Sequence, residues 1–284
     1  MTVEARAVAR VRFASATPAD GTTIRYAERG VAGDMPVVFL HGYADSWNSF
    51  RPVFERLRGG RHALAPDQRG HGDSGKPAGA YGLETFVADA VGLLDALAIR
   101  RATFVGHSLG SFIAQALALA HPERVEKLVL IGSGASVKTN GALREFQSAL
   151  SILSAAPGPA AIREFQTSTV HAPLPQQFLD SIIAESAKVP LHVWREALAG
   201  LLAADLTDRL AEIRQPAWIV WGDRDAIFPR PEQDALLDRL SRSALSVYRN
   251  AGHAPHWERP GQFARELERF LDGDVPGSAV THVA

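Results

Sequence analysis

The feature that most limits what this chain can become is an alternation. Continuous apolar runs at residues 36–40, 63–65, 102–105, 127–131 and 217–221, with a weaker one at 245–248, suit strands buried on both faces. Between them, apolar spacing of three and four residues marks helices at 47–57, 83–98, 109–120, 231–240 and 262–271. Strand and helix taking turns build a mainly parallel sheet covered on both faces, because parallel neighbours need a crossover that a helix supplies. Two earlier segments, 8–13 and 22–27, read as strands separated by Pro18, Asp20 and Gly21, hence as an opening hairpin. The alternation fails between about 137 and 211. There Phe146, Leu150 and Leu153 fit one helix, Phe178, Ile182 and Ile183 a second, and Trp194, Leu198, Leu201 and Leu202 a third. Pro157, Pro159, Pro173, Pro175 and Pro190 punctuate them, and Pro216 marks the return to the sheet. The expected organisation is one α/β core, 1–136 and 212–284, with a helical cap, 137–211, inserted after the sixth strand. The tail beyond Asp274 is expected to fray.

Composition removes whole classes of function. Thirty basic and thirty-one acidic residues leave a formal charge of −1, no field with which to hold a phosphate backbone or an anionic bilayer. Neither nucleic acid nor membrane is therefore expected as a partner. The absence of cysteine excludes disulfides, thiolate metal sites and a cysteine nucleophile together. The first twelve residues mix Glu4 with three arginines, and no later stretch approaches eighteen uninterrupted apolar residues. The chain reads as soluble and unprocessed, with the cytoplasm as default compartment, and oligomeric state leaves no mark in it.

Residues 104–110 read Phe-Val-Gly-His-Ser-Leu-Gly: a buried strand end, then G-x-S-x-G, then a helix. The five-residue pattern alone is weak, but its context is informative. A serine between strand and helix can sit on a sharp strained turn, and glycines two residues either side let backbone approach without a Cβ clash. The hydroxyl of Ser108 then stands at the C-terminal edge of its strand. The helix behind it starts with free N–H groups, so the Leu109 amide can donate to an oxyanion. The plainer alternative, Ser108 as a helix cap, needs neither glycine.

A serine nucleophile needs a base, since its hydroxyl barely ionises near neutral pH. Of ten histidines, His253 stands out in Asn-Ala-Gly-His-Ala-Pro-His-Trp-Glu-Arg-Pro, on the loop after the last strand of the alternation. His256, expected to open the final helix, ranks below it. A carboxylate must in turn fix the imidazole tautomer. Trp221-Gly-Asp-Arg-Asp225 offers two, with Asp225 preferred and Asp223 second. The second oxyanion donor is expected from His41-Gly42-Tyr43-Ala44, as the Tyr43 amide, with His41 a structural hydrogen-bonding residue.

The order Ser108, Asp225, His253, the His41-Gly42 loop, the stretch Asp67-Gln-Arg-Gly-His-Gly-Asp-Ser74, the serine turn and the closing Gly-His-x-x-His-Trp-Glu-x-Pro together resemble the α/β-hydrolase superfamily, over about residues 22–272. The resemblance implies an eight-stranded, mostly parallel sheet flanked by helices, with the insertion capping the active site. Within the superfamily the chain is most similar to cofactor-free esterases, the perhydrolase or non-haem chloroperoxidase group and the C–C bond hydrolases. Haloalkane dehalogenases and epoxide hydrolases resemble it elsewhere but carry aspartate at the place of Ser108, which argues against both activities.

Two patterns are decoys. Gly70-His-Gly-Asp-Ser-Gly75 spells G-x-G-x-x-G, but Pro77, Gly79 and Gly82 follow where a dinucleotide loop would open a helix. His41, His71, His107 and His253 gather near one sheet edge without H-E-x-x-H or a carboxylate cluster, so no metal is expected. The expected function is a cofactor-free serine hydrolase of carboxylic esters, lactones and polyesters included, acting on a small-molecule acyl substrate. Phe146 and Trp194 are candidates to line its acyl pocket, against ordinary helix packing for Phe146, Phe178 and Trp194 alike. Alternatives are a lactonase or perhydrolase, a C–C hydrolase of a vinylogous diketone, mildly favoured by Trp257, and a small-molecule receptor on the same fold.

Overall fold

The computed structural model describes residues 10–31, 35–79, 81–274 and, as backbone, 281–283. In chain order the elements are β1 (Arg12–Ala16), β2 (Ile24–Arg29), β3 (Val37–Leu40), a 3-10 turn (Trp47–Phe50) running into α1 (Arg51–Phe54), β4 (Ala63–Pro66), α2 (Leu83–Ala96), β5 (Ala102–His107), α3 (Leu109–Ala120) and β6 (Val125–Ile131). Then come α4 (Gly141–Ser151), α5 (Pro159–Ser168), α6 (Gln176–Ser186) and α7 (Leu191–Leu202), followed by β7 (Ala217–Gly222), α8 (Arg230–Arg239), β8 (Ser243–Tyr248), α9 (Pro255–Glu258), α10 (Pro260–Leu271) and β9 (Thr281–Val283). The strands form one sheet in the order β1-β2-β4-β3-β5-β6-β7-β8-β9. β1 with β2 and β2 with β4 are antiparallel, and every other pair is parallel.

The continuous apolar runs are explained by the two-residue period of a strand. Val38, Leu40, Leu64, Phe104, Leu128, Leu130, Ile219 and Leu245 point to one face, where α2, α3 and α8 pack. Val37, Phe39, Ala63, Ala65, Val105, Val129, Trp218 and Val220 point to the other, against α1 and α10. Both parities are buried, so beyond the leading Lys127 the runs admit only Thr103 and Ser246 as polar residues, both of them buried. α6 and α7 lay Leu179, Ile183, Val193, Trp194, Leu198 and Leu201 onto the first of these cores. Among the described residues no helix is long and apolar enough to cross a membrane.

All eight expected strands are present, and the short β9 adds a ninth beside β8. The tail thus differs from expectation at its end: residues 275–278 lie outside the described ones, whereas Thr281–Val283 pairs. The first strand lies later than expected, at Arg12–Ala16, with residues 8 and 9 outside the description. Phe13 misled the reading: it is 47% exposed, lying edge-on to Trp47 rather than in the core. The helix expected at 47–57 is a 3-10 turn plus one α-turn, because the Asp67 carboxylate accepts the Trp47 N–H and Pro52 has none to give. Between β6 and β7 there are four helices rather than three. α5 escaped notice because its fully buried positions are Ile162 and Gln166, one of them polar.

Candidate active site

Ser108 joins β5 to α3 with φ 50° and ψ −119°, a backbone state that costs a non-glycine residue about 1–3 kcal/mol. Its surroundings hold it there. The Ser108 N–H donates to Ile131 O at 2.9 Å, and its carbonyl accepts from Ser111 N at 2.8 Å and Ser111 Oγ at 2.6 Å. The flanking glycines are required by contact: a Cβ on Gly106 would stand 2.3 Å from Gly110 O, and one on Gly110 would stand 2.0 Å from Leu40 O. The Ser108 side chain makes no capping hydrogen bond to α3, so the helix-cap alternative finds no support in its geometry.

His253 follows β8, and its Nδ1 lies 2.9 Å from Asp225 Oδ2 on the loop after β7. The other oxygen of Asp225 accepts from Ile227 N at 2.8 Å and Phe228 N at 3.0 Å. Both partners are buried, so the pair sits out of bulk water. An ionised carboxylate can only accept, which puts a proton on Nδ1 and leaves Nε2 with a lone pair. Asp223 does different work: its Oδ1 accepts from Asn250 N at 2.6 Å and it faces Arg224 near the surface. His256 lies on α9, packed between Phe50 and His107 at ring separations of 4.8 and 4.6 Å, and burial holds it well below the usual histidine range.

Gly42, Tyr43, Ser108 and His253 line one cavity of about 40 Å³. A Cβ on Gly42 would lie 3.5 Å from Ser108 Cβ, which puts the loop after β3 directly beside the serine. Leu109 is the first residue of α3, so its N–H has no preceding carbonyl to serve. His41 is buried under this loop, where its Nε2 accepts from Gln68 N at 2.9 Å, and Nδ1 is 2.8 Å from Gly42 O. The Gly70 to Gly75 decoy forms turns, with Asp67 accepting from Asp73 N at 2.9 Å, and α2 begins only at Leu83. Among the described residues no three histidine or carboxylate side chains are grouped to hold a metal.

The family model of the alpha/beta hydrolase fold matches residues 35–260. The chain belongs to the α/β-hydrolase fold family. It is 32% identical over 252 residues to a 2-hydroxymuconate semialdehyde hydrolase of Pseudomonas sp. (strain CF600), covering 84% of this chain and 87% of that one. It is 28% identical to a non-heme chloroperoxidase of Streptomyces lividans, covering 90% and 98%. An esterase from Exiguobacterium antarcticum superposes with a TM-score of 0.84 at 23% identity, over 92% of this chain and all of that one.

In this α/β-hydrolase-fold chain the segment between β6 and β7 is tied to the loops that carry Tyr43 and His253. Tyr43 Oη donates to Trp194 O on α7. The His253 N–H donates to Thr169 O at 2.7 Å, and Glu258 accepts from Gly252, His171 and Ala172 N–H groups at 2.7, 3.2 and 2.7 Å. Phe146 and Trp194 do not line the cavity beside Ser108; they line a neighbouring apolar cavity of about 450 Å³ between α4, α5 and α7. Phe165 lines both, stacked on Phe146 with ring centroids 5.1 Å apart. Phe178 instead packs edge-on to Trp257 at 5.9 Å. Thr169, Glu258, Phe165 and Asp45, another wall residue of the serine cavity, were missed by the sequence reading. The adjacent Tyr43 and His253 motifs could have drawn attention to Asp45 and Glu258; nothing local marks Thr169 or Phe165.

Proposed function

We propose that this chain is a serine hydrolase of carboxylic esters working through an acyl-enzyme. The observation that carries the reading is that His253, held by the buried Asp225 carboxylate behind it, lines one cavity with a strained Ser108 whose side chain caps no helix. Ser108 Oγ attacks the ester carbonyl carbon while its proton passes to His253 Nε2. The Tyr43 and Leu109 amides meet the tetrahedral oxyanion. Collapse breaks the C–O bond, and the leaving alkoxide takes the proton from His253. Water then gives a proton to His253 and attacks the acyl carbon; a second collapse reprotonates Ser108 and frees the acid. Asp225 stays ionised throughout, keeping Nδ1 protonated and stabilising the imidazolium. Each of these roles is filled by a side chain or an amide, so the scheme calls for no cofactor or metal.

Residues 137–211 act as a cap domain on a core of 1–136 and 212–284. A space of 40 Å³ holds roughly three waters, not a substrate, so substrate entry requires the ring partition at Phe165 and Phe146 to yield. The larger cavity, lined by Phe146 and Trp194, then takes the apolar part of the ester. The second reading, a C–C hydrolase, is favoured by the likeness to the 2-hydroxymuconate semialdehyde hydrolase. A muconate carries a carboxylate, however, and the described residues around Ser108 include no lysine or arginine to meet it. That wall suits a neutral ester. Turnover of 4-nitrophenyl esters graded by acyl chain, compared with a vinylogous keto acid, separates the two readings; cleavage of the keto acid alone would overturn the ester assignment. Covalent labelling of Ser108 by a fluorophosphonate separates both from a receptor.

A further inference from the structure

The cavity beside Ser108 has polar wall residues that ester cleavage does not use. Asp45, His107 and Trp257 all line it. They are 2%, 3% and 3% exposed, and Asp45 Oδ1, His107 Nδ1 and Trp257 Nε1 are all buried without a hydrogen-bond partner. Polar neighbours in the same wall are engaged: Gln166 Nε2 donates to Ser186 Oγ at 2.9 Å, Thr169 Oγ1 to Gln166 O at 2.8 Å, and His253 Nδ1 to Asp225. Of the fourteen buried side-chain atoms without a partner among the described residues, these three belong to residues that line one small space beside Ser108. The set is also chemically specific. Trp257 can only donate, and a carboxyl in its neutral form can both donate and accept. Burial, reinforced by the Glu185 carboxylate, pushes Asp45 well above the usual carboxylate range, which favours that neutral form.

We propose that Asp45 and Trp257 bind a hydroxyl group of the substrate close to its scissile carbonyl, making the enzyme selective for hydroxy-acyl esters. This rests on the ester-hydrolase reading above. The hydroxyl oxygen accepts from the Trp257 indole and its hydrogen is shared with Asp45, so two of the three orphaned groups gain a partner. The cavity is small enough that a group held at Asp45 belongs to the acyl portion next to Ser108, not to a remote tail. An ester without the hydroxyl leaves these atoms unpaired, and sites built to bond a hydroxyl discriminate strongly against analogues lacking it. A carboxylate at the same place would be disfavoured, since no cation is at hand.

The test uses ethyl butanoate, ethyl 2-hydroxybutanoate and ethyl 3-hydroxybutanoate, with hydrolysis followed by base titration. The full-length enzyme is expected to prefer one hydroxy ester by about tenfold or more in kcat/KM. In Asp45→Leu that ratio should collapse toward unity. Asp45→Asn, which keeps a donor and an acceptor, should retain most of it, and Trp257→Phe, which removes the N–H while keeping an aromatic ring, should lower it by about three- to tenfold. Equal turnover of the three esters by the unaltered enzyme would mean that resident water fills this space, and would overturn the proposal. So would a ratio unchanged in both Asp45→Leu and Trp257→Phe. If the unaltered enzyme cleaves none of the esters and Ser108 resists a fluorophosphonate, the hydrolase reading itself fails and this proposal with it.

Discussion

Replacing Asp225 by asparagine should silence the enzyme through a proton in the wrong place, and the structure says why. Asp225 Oδ1 accepts two backbone N–H groups, from Ile227 and Phe228, at 2.8 and 3.0 Å. An asparagine amide must therefore keep its oxygen there, which turns its NH2 toward His253 Nδ1, now 2.9 Å from Asp225 Oδ2. A donor facing Nδ1 forces that nitrogen to accept, so the proton moves to Nε2 and the base can no longer take one from Ser108. A wrong-tautomer substitution of this kind costs about 10⁴-fold in kcat, near 5.5 kcal/mol of transition-state stabilisation. Asp223→Asn should cost no more than about threefold, because the amide oxygen still accepts from Asn250 N and no catalytic group is touched. Steady-state kinetics on 4-nitrophenyl butanoate would measure both, with thermal melts confirming folded protein. A loss below tenfold for Asp225→Asn, or an equal loss for Asp223→Asn, would refute the tautomer argument.

Three further outcomes are expected. Burial pushes the Asp67 carboxyl up to about 6, so the folded state holds this proton more tightly than the unfolded chain; its stabilising effect is complete below about pH 4 and is lost as pH rises through 6. Relative to Asp67→Asn, the unaltered protein should lose up to about 3 kcal/mol between pH 4 and 7 in urea melts, and a flat difference would contradict the burial argument. Gly252→Ala would place a Cβ 2.8 Å from Thr169 O and His171 N, displacing the loop that carries His253; kcat should fall by about tenfold or more, and normal kcat would show the contact to be slack. Phe146→Ala or Trp194→Ala should change discrimination between neighbouring acyl chain lengths by about 1–3 kcal/mol; lost stability with unchanged preference would leave these rings a packing role only.

What could be read from the sequence follows the range of the forces involved. The central strands β3 to β7 were legible because both parities of each are buried, so an apolar run is enough to mark one. The turn at Ser108 was legible because a Cβ at either flanking glycine would collide with backbone, a local demand written in local residues. Asp225 and His253 were reachable as loop residues following strands, which is where a parallel sheet gathers chemistry. What could not be read depends on how distant segments meet. That Thr169 would accept the His253 N–H, and Glu258 three amides, is decided by the helices after β6 docking on the core. Phe146 and Trp194 show the same limit: helical spacing put them on an inner face but could not say that Phe165 would stand between them and the serine. Asp45 carries no mark of its own in the sequence; only burial without a partner distinguishes it.

The central claim is that Ser108 is an activated nucleophile, and the most direct measurement is its reaction with a fluorophosphonate probe, read by mass spectrometry of the intact chain and its peptides. One adduct, on Ser108, is expected, with ester turnover lost in parallel with labelling. Ser108→Ala should remove both, lowering kcat by about 10³-fold or more while the melting temperature stays close to that of the unaltered protein, because the half-buried hydroxyl contributes little packing. A chain that stays unlabelled, or a Ser108→Ala protein that hydrolyses esters at the original rate, would contradict the account at its base.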